Sequence, residues 1–261
     1  MYKKVLLIIV ILLSFFLRFY KLGSIPAGMY VDETVIGYNA YSLALTGADE
    51  YGMKWPVFLK SFGVYPVPLY TYLSTIPVRL FGLNNFSVRL TSALSGILVV
   101  FLTFLIFREL KFKFVEQLIA TTLVGFSPWM ILMSRTGTEG HLSLMLATLA
   151  VLFALRAKIN NYYWILFFFF LGLASYAYQG ARPIALGYFV FFSWWKRKEI
   201  NKMWVIGLAI FIFMLVPQIK LIGQPAFSLR GTGLFYGEAA KRTSFIYEFM
   251  SQASSYFSPY S

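Results

Sequence analysis
The sequence contains no cysteine, one histidine and only two aspartates. Without cysteine there is no disulfide, no thiolate metal centre and no cysteine nucleophile. With His141 as the lone histidine, any metal site must be built mainly from oxygen ligands. Charge is scarce too: 13% of residues are Asp, Glu, Lys or Arg, against about 25% in soluble globular proteins. What charge there is leans one way, with 23 Lys and Arg against 10 Asp and Glu. A net +13 would suit nucleic acid, but no basic stripe with interleaved aromatics lies outside the apolar runs, which argues against that partner. The bases collect at the ends of those runs, where membrane orientation and anionic headgroups account for them.

What the sequence has in abundance is apolar surface: 59% hydrophobic and 20% aromatic residues. A spanning helix needs roughly 20 mostly apolar residues. Seven stretches approach this, at 4–22, 86–107, 116–134, 140–157, 162–178, 182–196 and 203–222. The first opens with Lys3 and Lys4 like a signal peptide, but it ends in Arg18-Phe19-Tyr20-Lys21 without a small-residue cleavage site, so it reads as a retained anchor. The expected fold is therefore all-α: a polytopic membrane protein with about seven transmembrane helices.

The basic residues of the short loops set its orientation. Arg108, Lys111, Lys113, Arg156, Lys158, Lys196, Arg197, Lys198 and Lys202 fall in alternate loops, and only Arg135 and Arg182 in the others. The first group is expected on the cytoplasmic side of the cell membrane. Arg18 and Lys21 dissent. Trp129, Trp164, Trp194, Trp195 and Trp204 fall at the expected helix ends, as an aromatic belt would.

Two stretches lie outside this pattern, both expected on the non-cytoplasmic face. Residues 23–85 form a long first outer loop. Within it Thr34–Thr46 is expected as an amphipathic helix in the membrane plane, with Asn39, Ser42 and Thr46 on one stripe, and Pro68–Phe81 as a second. Residues 223–261 follow the last span and read as an outer segment that continues into a longer protein. The expected division is a membrane module at 1–222 and this segment at 223–261.

The candidate chemistry sits in the same places. Four of the ten acids form two pairs in the first outer loop, Asp32-Glu33 and Asp49-Glu50. A carboxylate held at a membrane surface can act as a general base or bind a divalent cation; equally, Asp32 could simply cap the following helix. The turn Ser134–His141 adds Arg135, Glu139 and His141, and Arg182 follows Tyr176-Ala177-Tyr178. Arginines that defy the positive-inside bias suggest a local anion, and phosphate suits a guanidinium fork best. Glu139 and His141, like Asp49 and Glu50, are candidate ligands for a divalent ion (Mg, Mn, Ca or Zn).

In its ordered motifs the sequence resembles the GT-C superfamily of membrane glycosyltransferases, notably glycosyltransferase family 39 (the protein O-mannosyltransferases) and the lipid A aminoarabinose transferases. The resemblance runs through Leu17–Leu22, Pro26, Asp32-Glu33, Tyr38 and Ala40, Gly47–Pro56, Tyr65–Leu69, Phe81-Gly82, Ser87–Leu90, Ser134-Arg135 and the Tyr-x-Tyr before Arg182. It implies a sugar linked to a polyprenyl phosphate as donor, a hydroxyl acceptor of unspecified kind, and inversion at the anomeric carbon. Asp32 matches the family's base and Glu33 stands beside it. Arg135, Arg182, Tyr65 and Tyr178 are then the candidates for donor binding. A transporter or lipid flippase, or a non-catalytic assembly subunit, are the rival readings. Transporters place charge near mid-membrane, where these apolar stretches carry almost none.

Overall fold
A computed structural model describes residues 2–61 and 66–219. Ten α-helices and one short 3-10 turn follow in order, with no strand among the described residues. They are α1 Tyr2–Phe19, α2 Val31–Thr46, α3 Leu69–Phe81, α4 Asn85–Glu109, α5 Phe114–Phe126, α6 Pro128–Arg135, α7 Glu139–Arg156, α8 Tyr163–Ala177, α9 Ala181–Trp195 and α10 Lys202–Ile219. The chain divides into two units, residues 1–59 with 66–215 and residues 60–65 with 216–261. The second is described only at Lys60, Ser61 and the end of α10. The expected outer segment 223–261 and the candidate Tyr65 lie outside the described residues.

Each of the seven apolar stretches is helical within the described residues, but not every one has a spanning length. By length and composition α4, α7 and α10 qualify, and the pair α5–α6 makes a fourth if its 51° bend is one broken span. Helix α8 is apolar but has 15 residues, as has α9, and α1 carries Lys3, Lys4 and Arg18 within 18 residues. The protein is an all-helical, multi-pass membrane protein; the count of seven depends on these three.

The bend has a covalent cause. Pro128 opens α6 and has no N–H to give to the Val124 carbonyl one turn earlier, so the helix breaks there. Arg18 of α1 fills the gap: its guanidinium donates to the carbonyls of Gly125 at 2.9 Å and Val124 at 3.4 Å, and to Ser14 at 3.1 Å. Arg18 is fully buried. It dissented from the charge bias because it repairs a broken helix rather than marking a membrane side.

The long connection between α1 and α4 holds two helices, as expected, with the start of each moved, α2 by three residues and α3 by one. Helix α2 begins at Val31, three residues before the expected start, because the Glu33 side chain reaches back to the Tyr30 N–H at 2.9 Å. Two of the three residues on its polar stripe, Asn39 and Ser42, face protein, while Thr46 is exposed. Buried Asn39 accepts from the Glu50 N–H at 3.0 Å, and Ser42 donates to the Asp49 carbonyl at 3.4 Å. The helix stops at Gly47 in the left-handed region (φ 70°), whose N–H returns to the Leu43 carbonyl at 3.0 Å.

Two apolar clusters sit at opposite ends of the bundle. At one end Ile36 and Ala40 of α2, Tyr70 and Val78 of α3 and Val88 of α4 pack with Leu142, Leu146, Ala174 and Ala177 of α7 and α8. At the other, Phe167, Phe168, Phe192 and Phe211 surround Trp164. Trp164 is fully buried, so this tryptophan belongs to the core and not to an aromatic belt.

Candidate functional site
The end of the bundle that carries the long α1–α4 connection concentrates the buried polar groups. Its centre is an ion pair between Glu33 of α2 and Arg89 of α4, both about 99% buried, with Nε to Oε1 at 2.9 Å. Arg89 also gives a second hydrogen bond to Oε2 at 3.2 Å. The Gly137 N–H, in the turn between α6 and α7, donates to Oε1 at 2.6 Å. Glu33 therefore receives four hydrogen bonds, from α2's own start, α4 and the α6–α7 turn. Burial alone would raise its pKa, but the bonds from Arg89, Tyr30 and Gly137 outweigh burial and hold the carboxyl below its ordinary value.

The remaining donors of Arg89 go to backbone. They reach the carbonyls of Leu22 at 3.1 Å, Pro26 at 2.9 Å and Gly28. Arg135, at the end of α6, does the same from the other side, donating to Leu17 at 2.6 Å, Tyr20 at 2.6 Å and Ile25 at 3.0 Å. Six carbonyls, that of Leu17 in the last turn of α1 and five in the chain leaving it, are thus gripped by two buried guanidiniums, and that segment delivers the chain to the start of α2. A connection without regular structure has no ladder to satisfy its backbone; here arginines supply the donors.

Asp32 stands apart from this network. It lies in the first turn of α2, exposed, one residue from the buried Glu33. It is not the N-cap, which is Tyr30, so the capping role does not apply to it. Among the described residues its carboxylate makes no side-chain hydrogen bond.

Near Glu33, Tyr70 is wholly buried and donates its hydroxyl to the Val88 carbonyl at 2.9 Å. Burial first, and then the charges of Glu139 and Glu33, push its phenol well above the ordinary value, so it stays a neutral donor. Glu139 and Gly140 begin α7. Beyond them a cavity of about 240 Å³ runs between α7, α8 and α9, with Gly140, Ser143, Ala174, Ala181 and the exposed ring of Tyr178 in its walls. Arg182 occupies the first turn of α9, half-buried.

Several candidates from the sequence change role. Arg135 is not free to bind phosphate, because its donors are engaged by three carbonyls. Glu33 is not a base in waiting, because all of its lone pairs face donors. The proposed metal ligands do not assemble: no group of three His, Asp or Glu is brought together among the described residues. His141 is buried, with Nε2 unpartnered among the described residues. Asp49 is buried in a tight turn, its Oδ1 accepting from the N–H groups of Tyr51 at 3.0 Å and Met53 at 2.9 Å. Glu50 is exposed. These residues do not fit a resident metal, and no step is assigned to one. Arg18, Arg89 and Tyr70 were not among the site candidates read from the sequence. For Arg18 the signal was present: a charge inside an apolar stretch is expensive unless it has a partner.

The sequence profile of the dolichyl-phosphate-mannose-protein mannosyltransferases matches residues 65–220, more than half of the chain. The chain belongs to this family. The matched stretch begins after Asp32 and covers Arg89, Arg135, Tyr178 and Arg182. Among solved structures, the chain is similar to ArnT from Cupriavidus metallidurans bound to undecaprenyl phosphate, with TM-score 0.60 and 14% identity over 86% of this chain. ArnT in the apo state gives TM-score 0.61 and 15% identity over 92%. At such identity the likeness establishes a shared fold. The chain spans less than half of ArnT's length, 42% and 44% in the two structures. No curated protein matches the chain by sequence.

Proposed function
We propose that the protein is a glycosyltransferase that moves a sugar from a polyprenyl-phosphate donor to an acceptor hydroxyl at the non-cytoplasmic face of the membrane. The observation that carries this reading is the division of the Asp32-Glu33 pair. Glu33 and Arg89 build a rigid frame, and Asp32 projects from it with no structural duty. Family membership supports the donor class, as does the undecaprenyl phosphate bound to ArnT.

In this reading Asp32 accepts the acceptor's hydroxyl proton as its oxygen attacks the anomeric carbon. The bond from that carbon to the phosphate oxygen breaks on the opposite side, so configuration inverts and the polyprenyl phosphate leaves with the electron pair. The departing phosphate needs a cation. With Arg135 committed to carbonyls, Arg182 is the candidate, and Tyr178 beside the α7–α8–α9 cavity is the candidate for the sugar. Mannose or a related hexose is the expected sugar.

The test compares Asp32→Asn with Glu33→Gln, assayed in membranes with a labelled polyprenyl-phosphate sugar. Asp32→Asn should fold and retain donor while transfer falls by about a hundred- to ten-thousandfold. Glu33→Gln should lose folded protein yet keep turnover per folded molecule. Near-normal transfer by Asp32→Asn would remove Asp32 as the base.

A further inference from the structure
We infer that a second site, a cleft at the far end of α2 around Arg79, binds the headgroup of an anionic phospholipid whose acyl chain lies in the adjoining groove between α3, α4 and α7. The cleft, about 520 Å³, is walled by the last turn of α2, Trp55, Thr75 and Arg79. The groove, about 310 Å³, is walled by Leu73, Phe81, Leu94, Leu98 and Met145 among others. Ile76 and Leu80 line both, so the cleft that holds Arg79 adjoins the apolar groove.

The two compartments suit opposite ends of one amphipathic molecule. In the groove the polar side chains are Thr91 and Ser95, and both are already engaged: Ser95 donates to the Thr91 carbonyl at 2.7 Å, and the Thr91 hydroxyl meets Ser74 at 3.2 Å. What fills the groove is therefore hydrocarbon. In the cleft the one charged side chain is Arg79, exposed, with no carboxylate in the walls. Among the described residues Arg79 makes no hydrogen bond or ion pair. A cation in the last turn of α3 suits that helix's dipole, which explains an arginine there but not the open cleft facing it. A phosphodiester carries one negative charge and matches the guanidinium fork.

Trp55 marks the headgroup level. Its backbone is held in the left-handed region (φ 45°), its ring stacks on Tyr72 at 6.3 Å, and 67% of the residue is exposed. A Cβ on Gly47 would meet the indole at 3.0 Å, so glycine there lets the ring lie against the end of α2. Tryptophan is the residue that favours the membrane–water boundary.

This cleft is not the donor site. Asp32 lies in the first turn of α2, whereas the α2 residues in the cleft wall, Leu43 to Thr46, form its last turn; at least eleven helical residues, roughly 16 Å at 1.5 Å per residue, separate the two. A phosphate seated in the cleft lies at the opposite end of α2 from Asp32. The assignment needs only a bilayer and does not rest on the transferase reading.

Native mass spectrometry of the purified protein, exposed in turn to phosphatidylglycerol and phosphatidylcholine, tests it. The wild type should retain phosphatidylglycerol preferentially, by roughly tenfold or more, as expected for charge-assisted hydrogen bonds. Arg79→Gln should abolish the preference, Arg79→Lys should keep part of it, and Leu94→Trp should lower retention of both lipids by filling the groove. Size-exclusion profiles of each variant check folding. Equal retention of the two lipids, or a preference that survives Arg79→Gln, overturns the proposal. So does retention through Arg79 of undecaprenyl phosphate to the exclusion of phosphatidylglycerol, which would join the cleft to the donor site.

Discussion
The two ends of the helical bundle handle charge in opposite ways. At the Asp32 end three arginines are buried and bound to backbone: Arg18, Arg89 and Arg135 donate nine hydrogen bonds to carbonyls between them, and among the described residues Glu33 is their single carboxylate partner. At the other end charges pair with each other near the surface. Arg156 meets Glu109 at 2.8 Å with side chains 23% and 16% exposed, and Lys196 meets Glu199 at 2.7 Å. The short connections there need little help, and the core beneath them is aromatic. A long irregular connection that must be rigid consumes buried cations; a short loop does not. The Asp32 end is built as a frame, and the frame is what a positioned carboxylate requires.

The largest effect should come from breaking the frame at its centre. Arg89→Leu leaves Glu33 buried without its cation and releases three carbonyls. Removing one partner of a buried pair costs about 3–5 kcal/mol, so the variant should melt far below the wild type in detergent, or fail to accumulate. The same pair predicts an acid dependence. Glu33 has a lowered pKa in the folded state, so its contribution is present above the unfolded carboxylate value of about 4.3 and fades as pH falls through the lower folded value. The melting-temperature gap between wild type and Glu33→Gln should be full at pH 7 and shrink steadily below pH ~4. A gap that widens in acid would contradict the ion pair.

The positions of the helices could be read from the sequence, because seven apolar stretches can be satisfied in a bilayer in few other ways. The roles of the arginines could not. Arg135 looked like an anion ligand because it lay in a short outer connection, but its partners are carbonyls more than a hundred residues earlier. Arg18 looked like a topological anomaly until the break at Pro128 exposed the carbonyls it serves. Helix α2 was read as starting at Thr34 because the group that extends it, Glu33, is fixed by Arg89, 56 positions away. Asp32 was legible as a candidate, whereas its separation in role from Glu33 needed three dimensions.

A smaller effect should follow from loosening the frame at the broken span. Arg18 can reach the Gly125 carbonyl because α1 and α5 approach closely, and a Cβ at Gly125 would overlap the Ser14 hydroxyl. Gly125→Ala should therefore destabilise by about 1–3 kcal/mol, the usual effect of overpacking. Ser14→Ala should be close to neutral, since that hydroxyl is buried with no hydrogen-bond partner among the described residues. The double variant should recover most of the loss, because the Ser14 Cβ lies 3.6 Å from the new methyl position, an ordinary contact. Thermal melts of the three variants check this, and a double variant as weak as Gly125→Ala would mean the two helices are not held as described.

The smallest effect is expected at the opposite end. Arg156 donates to Glu109 at 2.8 Å, a distance no longer than that of Arg89 to Glu33. Distance alone would therefore rank the two pairs as equals. Solvation does not: part-exposed ions recover water when separated, and such pairs contribute about 0–1 kcal/mol. Arg156→Ala should shift the melting temperature by little, and what shift there is should shrink further in high salt, where partly exposed charges are screened. Arg89→Leu should stay severe at any salt concentration, because its partner lies beyond the reach of ions. If both variants instead lost similar stability, with similar salt dependence, the contrast between a buried frame and a solvated end would fail, and with it the argument that the Asp32 end is built for position.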